Sequence, residues 1–216
     1  MTLRKHWTGL TDDELLKTKV KHLDLDLTET FMQPLVSQLK QELKRRHILF
    51  SPQVWLGDEW CNPDGQPGVV VPFCLAHPRL IRLERKYVGF IEGTTPRSFM
   101  KMLRHETGHA IESAYKLDTH PLRELMFGNT RKPYPRSYIP NRRSRDFVRH
   151  LPDHYAQAHP DEDFAETFAV WLTPKKQWQK KYQKWPVMDK LLTMDMLMHE
   201  LKHIEPVRRC TRQQFH

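Results

Sequence analysis

Residues 95–117 read TPRSFMKMLRHETGHAIESAYKL and carry the clearest helical pattern in the chain. Thr95 is a favourable N-cap residue, and Pro96 suits the first position of a helix. Apolar residues then recur at helical spacing, at Phe99, Met102, Leu103, Ala110, Ala114 and Leu117. The pattern predicts a helix from about Pro96 to Leu117 with one buried face.

The middle of this helix carries the sequence HETGH, in which His105 and His109 are four residues apart. Residues at this spacing differ by about 40° around the helix and about 6 Å along it, so both imidazoles can reach one ion. Glu106 lies about 100° further round, beside the ion, where it can accept a proton from a water molecule. This arrangement is typical of metal-assisted peptide hydrolysis.

A second HExxH sequence, HELKH, occupies residues 199–203. Only Glu205, Pro206 and a basic tail follow it, so no acidic helix is available to complete a three-ligand site. We interpret this copy as the half-exposed face of an amphipathic helix. In this interpretation Leu197, Leu201 and Ile204 pack inward.

The stretch PDEDFAETFAVWL at residues 160–172 predicts a second helix, which Pro174 terminates. Its phenylalanines, tryptophan and leucine predict burial, yet Glu162 and Glu166 share one of its faces. Buried carboxylates are costly unless they are paired or bound to a metal. One of them could complete a zinc site with His105 and His109, and the other could accept a hydrogen bond from a ligating histidine. The alternative is a pair of solvated surface acids.

Two blocks of this sequence resemble the gluzincin group of zinc-binding metallopeptidases. They are LRHETGHA at 103–110 and HYAQAHPDEDFAETFAVWL at 154–172, together 27 residues. The resemblance implies one Zn²⁺ ion, held by the two histidines of the first helix and by a glutamate of the later helix. It also implies that Glu106 is the general base of a peptidase.

Two patterns within that group imply different roles for the two glutamates. The thermolysin-like and lethal factor-like patterns make Glu162 the metal ligand. In these patterns Glu166 supports a histidine by accepting its hydrogen bond. The aminopeptidase-like pattern fits Glu162 and Glu166 equally well, so Glu166 stays an alternative metal ligand. We assign Glu162.

The lethal factor-like pattern also has a tyrosine seven residues before the ligand, which corresponds to Tyr155. Its hydroxyl would stabilise the oxyanion of the tetrahedral intermediate. The alternative for Tyr155 is an aromatic residue packed at a helix entry. Three nearby histidines are alternative donors to the oxyanion: His150, His154 and His159.

The remaining patterns are helical at both ends of the chain and extended in one place. Helices are predicted at 11–16, 31–47 and 175–203, and a helix-rich stretch at 75–83. The β-forming residues at 54–56 and 69–71 flank a turn-rich segment, which predicts a hairpin or two short strands. Val69–Val71 is either an edge strand that could hold an extended peptide or a core strand. Residues 128–145 are predicted to form a long loop.

The length of 216 residues and the hydrophobic content of 38% suit one domain with a substantial core, and exclude a wholly disordered chain. The resemblance gives the predicted fold class, an α+β zincin-like metallopeptidase domain that is helix-rich with a small twisted sheet. We expect this single domain to span residues 1–216. Residues 1–48 would be a helical extension packed on it, and residues 175–216 its C-terminal helices.

The charge distribution of the chain and its N-terminal sequence give predictions about its partners and its location. The net charge is +9, and residues 131–149 contain seven basic side chains against Asp146 alone. This loop would form a basic rim that attracts an acidic peptide segment or a substrate on nucleic acid. We expect a peptide or protein substrate and no membrane partner; nucleic acid is open but not favoured, and the oligomeric state is undetermined. The N-terminus lacks a signal-peptide pattern, so we expect a cytoplasmic protein, with signal-independent export left open.

Two alternatives to a peptidase stay open at this point. One is a non-catalytic zinc-binding interaction module, against which Glu106 argues, because a binding scaffold needs no base beside the ion. The other is a basic nucleic-acid-associated protein with incidental histidines, which would bind no stoichiometric zinc.

Overall fold

The computed structural model describes residues 6–63 and 66–210. Within these ranges the α-helices are α1 (Asp12–Leu16), α2 (Met32–Arg45), α3 (Pro78–Val88), α4 (Pro96–Tyr115), α5 (Pro121–Phe127), α6 (Pro160–Leu172), α7 (Lys175–Tyr182) and α8 (Met188–Glu200). The two strands are β1 (Gln53–Gly57) and β2 (Gly68–Pro72). The predicted α+β class, rich in helix with a small sheet, is therefore confirmed. The outermost parts of the predicted terminal extensions, at 1–5 and 211–216, lie outside the described residues, as do 64–65 in the turn-rich segment.

Local hydrogen bonds set the start of helix α4, and a change of backbone conformation sets its end. The Thr95 hydroxyl accepts the Ser98 N–H, and Ser98 bonds back to the Thr95 backbone, so a capping box starts the helix. Lys116 adopts a left-handed conformation with φ 55°, which ends the helix two residues before the predicted Leu117. The predicted helix is otherwise confirmed.

Helix α6 packs against α4 more extensively than any other pair of elements in the described chain. It spans the predicted residues, and every side chain from Glu162 to Leu172 is buried. Its N-cap is His159, whose ring nitrogen Nδ1 accepts the N–H of Asp161. The acidic residues of its first turn also suit the positive end of the helix dipole.

Helix α2 covers another side of α4. Its buried residues, which include Leu39 and Leu43, recur at helical spacing, and the helix lies within the predicted residues 31–47. Arg104, the residue before the HETGH motif, donates two hydrogen bonds to Glu42 of α2 at 2.6 and 2.9 Å. These contacts fix the motif helix against the N-terminal part of the chain.

The hairpin alternative is wrong, because β1 and β2 pair in parallel, with Trp55 opposite Val70. The turn-rich segment does reverse the chain, but it brings Cys61, rather than β1, antiparallel to Val70. Strand β2 thus lies between β1 and Cys61, and all five of its residues are buried. Val69–Val71 is therefore a core strand, and the edge-strand alternative for it is also wrong.

The predicted helix-rich stretch at 75–83 resolves into a 3₁₀ turn at Phe73–Ala76 and helix α3, which continues to Val88. Residues 129–151 contain no helix or strand, which confirms and slightly extends the predicted loop. None of the helices in the described part of the chain has the length and apolar character needed to cross a bilayer.

The second HExxH copy does not lie on one helix. Helix α8 ends at Glu200, and His203 adopts a left-handed φ of 60° with its ring against His47. Leu197 and Leu201 are buried as expected, but Ile204 is 49% exposed, so its predicted inward packing is wrong. The chain leaves the helix before Ile204 can reach the core.

Candidate metal centre

Helices α4 and α6 bring three predicted ligand atoms into a small triangle. Nε2 of His105 lies 3.1 Å from Oε2 of Glu162, and Nε2 of His109 lies 3.3 Å from the same oxygen. The two Nε2 atoms are 3.3 Å apart. Among the described residues these three side chains form a group that could hold a metal ion.

The triangle has the size that tetrahedral zinc requires. Zinc binds imidazole nitrogen and carboxylate oxygen at about 2.0–2.1 Å, so tetrahedral ligand atoms are separated by roughly 3.3 Å. The observed separations of 3.1–3.3 Å match this value. Two imidazoles and one carboxylate are also a donor set that zinc prefers, whereas Ca²⁺ and Mg²⁺ prefer oxygen donors. The residues present therefore fit a zinc ion.

The two helices can place these ligands because they approach very closely at Gly108. A Cβ atom added to Gly108 would lie 2.7 Å from the Cα atom of Ala165 and 3.0 Å from its carbonyl oxygen. Ala165 itself is fully buried. The glycine inside HETGH and the alanine inside EDFAET thus let the backbones meet within one turn of the ligands.

Glu166 lies on the other side of His105. Its Oε1 atom accepts a hydrogen bond from Nδ1 of His105 at 3.2 Å, and its Oε2 atom accepts the Leu151 N–H at 2.9 Å. Since Nδ1 carries the proton, Nε2 of His105 is directed toward Glu162 and His109 as an electron-pair donor once the ring is neutral. Glu166 is only 1% exposed, and the solvated-acid alternative is wrong for both glutamates.

Without an ion, the carboxylates retain a proton on His105. Burial alone would lower the pKa of His105, but hydrogen bonds to Glu162 and Glu166 outweigh it and raise the pKa to about 10. Burial likewise opposes ionisation of Glu162, yet hydrogen bonds from His105 and His109 hold its pKa well below the usual range. A divalent cation would take the place of the bound proton, so metal binding at this centre releases protons.

Glu106 is 6% exposed and accepts no hydrogen bond from a described residue through its carboxylate. Burial raises its pKa, and the neighbouring histidines partly offset that effect. Its backbone carbonyl accepts the side-chain amide of Asn62 at 3.0 Å, which ties the loop after β1 to the motif. A carboxylate with a raised pKa and no fixed partner is suited to accepting and returning a proton.

These side chains open into a cavity of about 570 Å³. Tyr155, on a 3₁₀ turn at Pro152–Gln157, lines its wall with its ring 5.7 Å from that of His105. Burial raises the pKa of Tyr155, and the negative charge of Glu162 adds to the effect, so its hydroxyl stays protonated. The structure therefore places the predicted hydroxyl donor beside the metal centre.

Sequence reasoning missed Tyr134 and Tyr138, which line the same cavity. The hydroxyl of Tyr134 donates to Oε1 of Glu162 at 3.0 Å, and that of Tyr138 donates to the carbonyl of Asp153. Both lie in the loop after α5, where no periodic pattern indicates which side chains turn inward. The sequence feature that could have indicated these residues is the pair of tyrosines in the long loop between α4 and α6, the helices that carry the candidate metal ligands.

The three histidines near Tyr155 lie outside the described cavity lining. His150 is buried against the carbonyl of Lys101, and His159 caps α6. His154 adopts a left-handed φ of 55° beside Tyr155. The oxyanion alternative for these residues thus receives no support from their positions.

A comparison with known protein families gives one match. Residues 90–200, about half of the chain, match the profile of the family described as "Putative zinc-binding metallo-peptidase". The chain belongs to this family. The matched range includes α4, the Tyr134 loop and α6, so it covers the three candidate metal ligands together with Glu106 and Tyr155. No curated protein and no solved structure gives a significant match.

Proposed function

We propose that this protein is a zinc-dependent peptidase of the gluzincin type, with one Zn²⁺ held by His105, His109 and Glu162. The observation that carries the proposal is the 3.1–3.3 Å triangle of donor atoms beside the buried carboxylate of Glu106, which accepts no hydrogen bond from the described residues. Membership of a zinc-binding metallopeptidase family supports it. Three protein ligands leave a tetrahedral ion one open position, as in catalytic zinc sites.

Bound zinc would supply Lewis acidity, lowering the pKa of a water molecule and polarising the scissile carbonyl. The side chains then divide the remaining work. Glu106 accepts the proton of the attacking water and delivers it to the nitrogen of the leaving amine. The hydroxyl of Tyr155 donates a hydrogen bond to the oxyanion that forms on the former carbonyl oxygen. Glu166 keeps the proton of His105 on Nδ1, so that Nε2 is the donor atom.

A polypeptide is the substrate that we propose for this cavity. Cys61 uses its backbone groups to pair with Val70, which leaves the short segment around it at the outer edge of the sheet, next to Glu106. An extended peptide could add to this edge by main-chain hydrogen bonds. The basic residues of the loop at 131–149 favour substrates with acidic flanking segments.

We also propose that the chain folds as one domain. The support is a cluster of buried apolar side chains that runs from Trp7 to Leu201 in the described chain and includes residues of β2, α2, α4, α6 and α8, with Val54 and Leu56 of β1 packed against it. A continuous core of this kind is expected to unfold cooperatively.

The decisive experiment compares wild-type protein with Glu106→Gln. Both should contain one zinc per chain by elemental analysis, and both should melt at similar temperatures. Cleavage of a quenched fluorescent peptide library should fall at least 100-fold in the variant, because the proton acceptor is gone. Glu124→Gln, at an exposed position of α5, is the matched control and should cleave like the wild type.

Cleavage by Glu106→Gln at the wild-type rate, after repurification to remove contaminating proteases, would contradict the assigned role of Glu106. Stoichiometric zinc with no cleavage by the wild type would point instead to a non-catalytic metal-binding module.

A further inference from the structure

We propose that Tyr134 is a positioning residue that holds the carboxylate of Glu162 and thereby couples the loop at 129–151 to metal binding. This inference rests on the proposed ligation of zinc by Glu162. The two oxygens of Glu162 have separate partners: Oε2 faces His105 and His109, whereas Oε1 accepts the Tyr134 hydroxyl at 3.0 Å. A carboxylate held in this way offers only Oε2 to an ion and cannot rotate freely.

Tyr134 is itself held in place, although 56% of it is exposed. Its ring stacks on His159 with the centroids 3.7 Å apart and the planes 14° from parallel. The phenol O–H is the donor of this hydrogen bond, because an ionised carboxylate can only accept one. The hydrogen bond therefore has a fixed donor as well as a fixed acceptor.

His159 connects this tyrosine to the helix that carries Glu162. Its Nε2–H donates to the Lys132 carbonyl at 2.6 Å, and its Nδ1 accepts the Asp161 N–H at 3.2 Å as the N-cap of α6. The two bonds fix one neutral tautomer of a ring that is 3% exposed. His159 thus caps the N-terminus of α6 and also stacks on Tyr134, the loop residue that orients Glu162 of the same helix.

The coupling must act in both directions. The loop has no helix or strand to stabilise it, and it concentrates positive charge. If Tyr134 lowers the free energy of the metal-binding arrangement of Glu162, then metal bound to Glu162 stabilises the docked position of Tyr134 by the same amount. Metal binding should therefore order the loop, and loss of the hydroxyl should weaken both effects.

The test uses the full chain with Tyr134→Phe, which keeps the ring stacked on His159 and removes only the hydroxyl. Tyr138→Phe is the matched control, because Tyr138 lies in the same loop and cavity but donates to the Asp153 carbonyl instead of Glu162. Zinc affinity is measured by competition with a chromophoric chelator. We expect a loss of about 10- to 100-fold for Tyr134→Phe, the usual range for partners of metal ligands, and an unchanged affinity for Tyr138→Phe.

The second measurement is limited digestion by trypsin at Arg136, followed by mass spectrometry with and without zinc. Zinc should slow this cleavage in the wild type and in Tyr138→Phe, and should slow it much less in Tyr134→Phe. Both readouts are independent of catalytic activity. Equal melting temperatures for the two metal-free variants would show that the differences do not reflect general unfolding.

The outcomes separate this inference from the proposed function. Wild-type zinc affinity in Tyr134→Phe would overturn the positioning role while leaving the zinc site intact. Equal losses in Tyr134→Phe and Tyr138→Phe would also overturn it, since they would show a general effect of the loop. A wild-type protein that binds no stoichiometric zinc would refute the proposed metal site, and the inference with it.

Discussion

Replacement of Gly108 by alanine tests whether the contact between α4 and α6 holds the metal centre together. The added Cβ would lie 2.7 Å from the Cα atom of Ala165, which is 0.7 Å short of the 3.4 Å where ordinary van der Waals contact begins. The obstacle is backbone, so no rotamer change can relieve it. One helix must move by about this distance.

Two opposing effects decide the change in stability. Alanine in a helix interior is favoured over glycine by about 1 kcal/mol. Overpacking of a well-packed core costs about 1–3 kcal/mol, and a backbone obstacle belongs at the upper end of that range. We therefore expect Gly108→Ala to lower the free energy of unfolding by about 2 kcal/mol, measured by urea denaturation of metal-free protein.

The same displacement should weaken metal binding. Zinc ligand distances are acceptable within about 0.2 Å, so a shift of 0.7 Å between the helices exceeds the tolerance unless Glu162 can readjust fully. We expect a loss of zinc affinity of about tenfold by chelator competition. Ser113→Ala, on the same helix, is the control and should leave zinc affinity unchanged.

A second variant sharpens the test. Adding Ala165→Gly to Gly108→Ala removes the side-chain contact at 3.2 Å but leaves the backbone contact at 2.7 Å, so rescue should be incomplete. If Gly108→Ala is instead more stable than the wild type and binds zinc equally well, the close approach of α4 and α6 does not exist as described. The account of the metal site would then be refuted.

Three further predictions follow from the site and its surroundings. Glu166→Gln should weaken zinc binding by about 10- to 100-fold, because His105 loses its orienting carboxylate, and Glu162→Gln should weaken it more. If Glu166→Gln had the larger effect, Glu166 rather than Glu162 would be the metal ligand. Burial lowers the pKa of His150 to about 4, so the unfolded chain takes up this proton near pH 6.5 but the folded protein only near pH 4. Stability should therefore fall by up to about 3 kcal/mol as the pH drops through that interval, and urea titrations should show a shallower fall for His150→Gln; equal pH slopes would contradict this. Added salt should lower kcat/KM for peptides with acidic flanks more than for neutral ones, because it screens the basic loop; equal salt effects would argue against the basic rim.

The two helices that carry the candidate site could be predicted closely from the sequence. Their start signals are local, since Thr95 and Pro96 begin α4, and Pro160 with the acidic first turn begins α6. Their buried faces follow from apolar spacing within a single helix. Helices are predictable in this way because their hydrogen bonds connect residues four apart.

The sheet was less predictable, because strand pairing is not local. The chain reverses direction between Cys61 and Val70, since these two residues pair antiparallel, whereas β1 pairs in parallel with the other edge of β2. Nothing within the strands specifies which of two neighbours supplies the partner. Tyr134 was missed for the same reason, since its partner Glu162 lies 28 residues away.

Local sequence was enough to predict which reactive side chains lie near one another: two histidines one helical turn apart with a glutamate between them, and two further carboxylates one turn apart in an apolar segment. Helix geometry makes these spacings informative without any knowledge of the fold. The way in which the two helices meet is visible only in the folded chain. The close approach at Gly108 and Ala165 places Oε2 of Glu162 against both Nε2 atoms and leaves Glu166 behind His105. That division depends on the rotation of α6 about its axis, which is set by packing among many distant side chains.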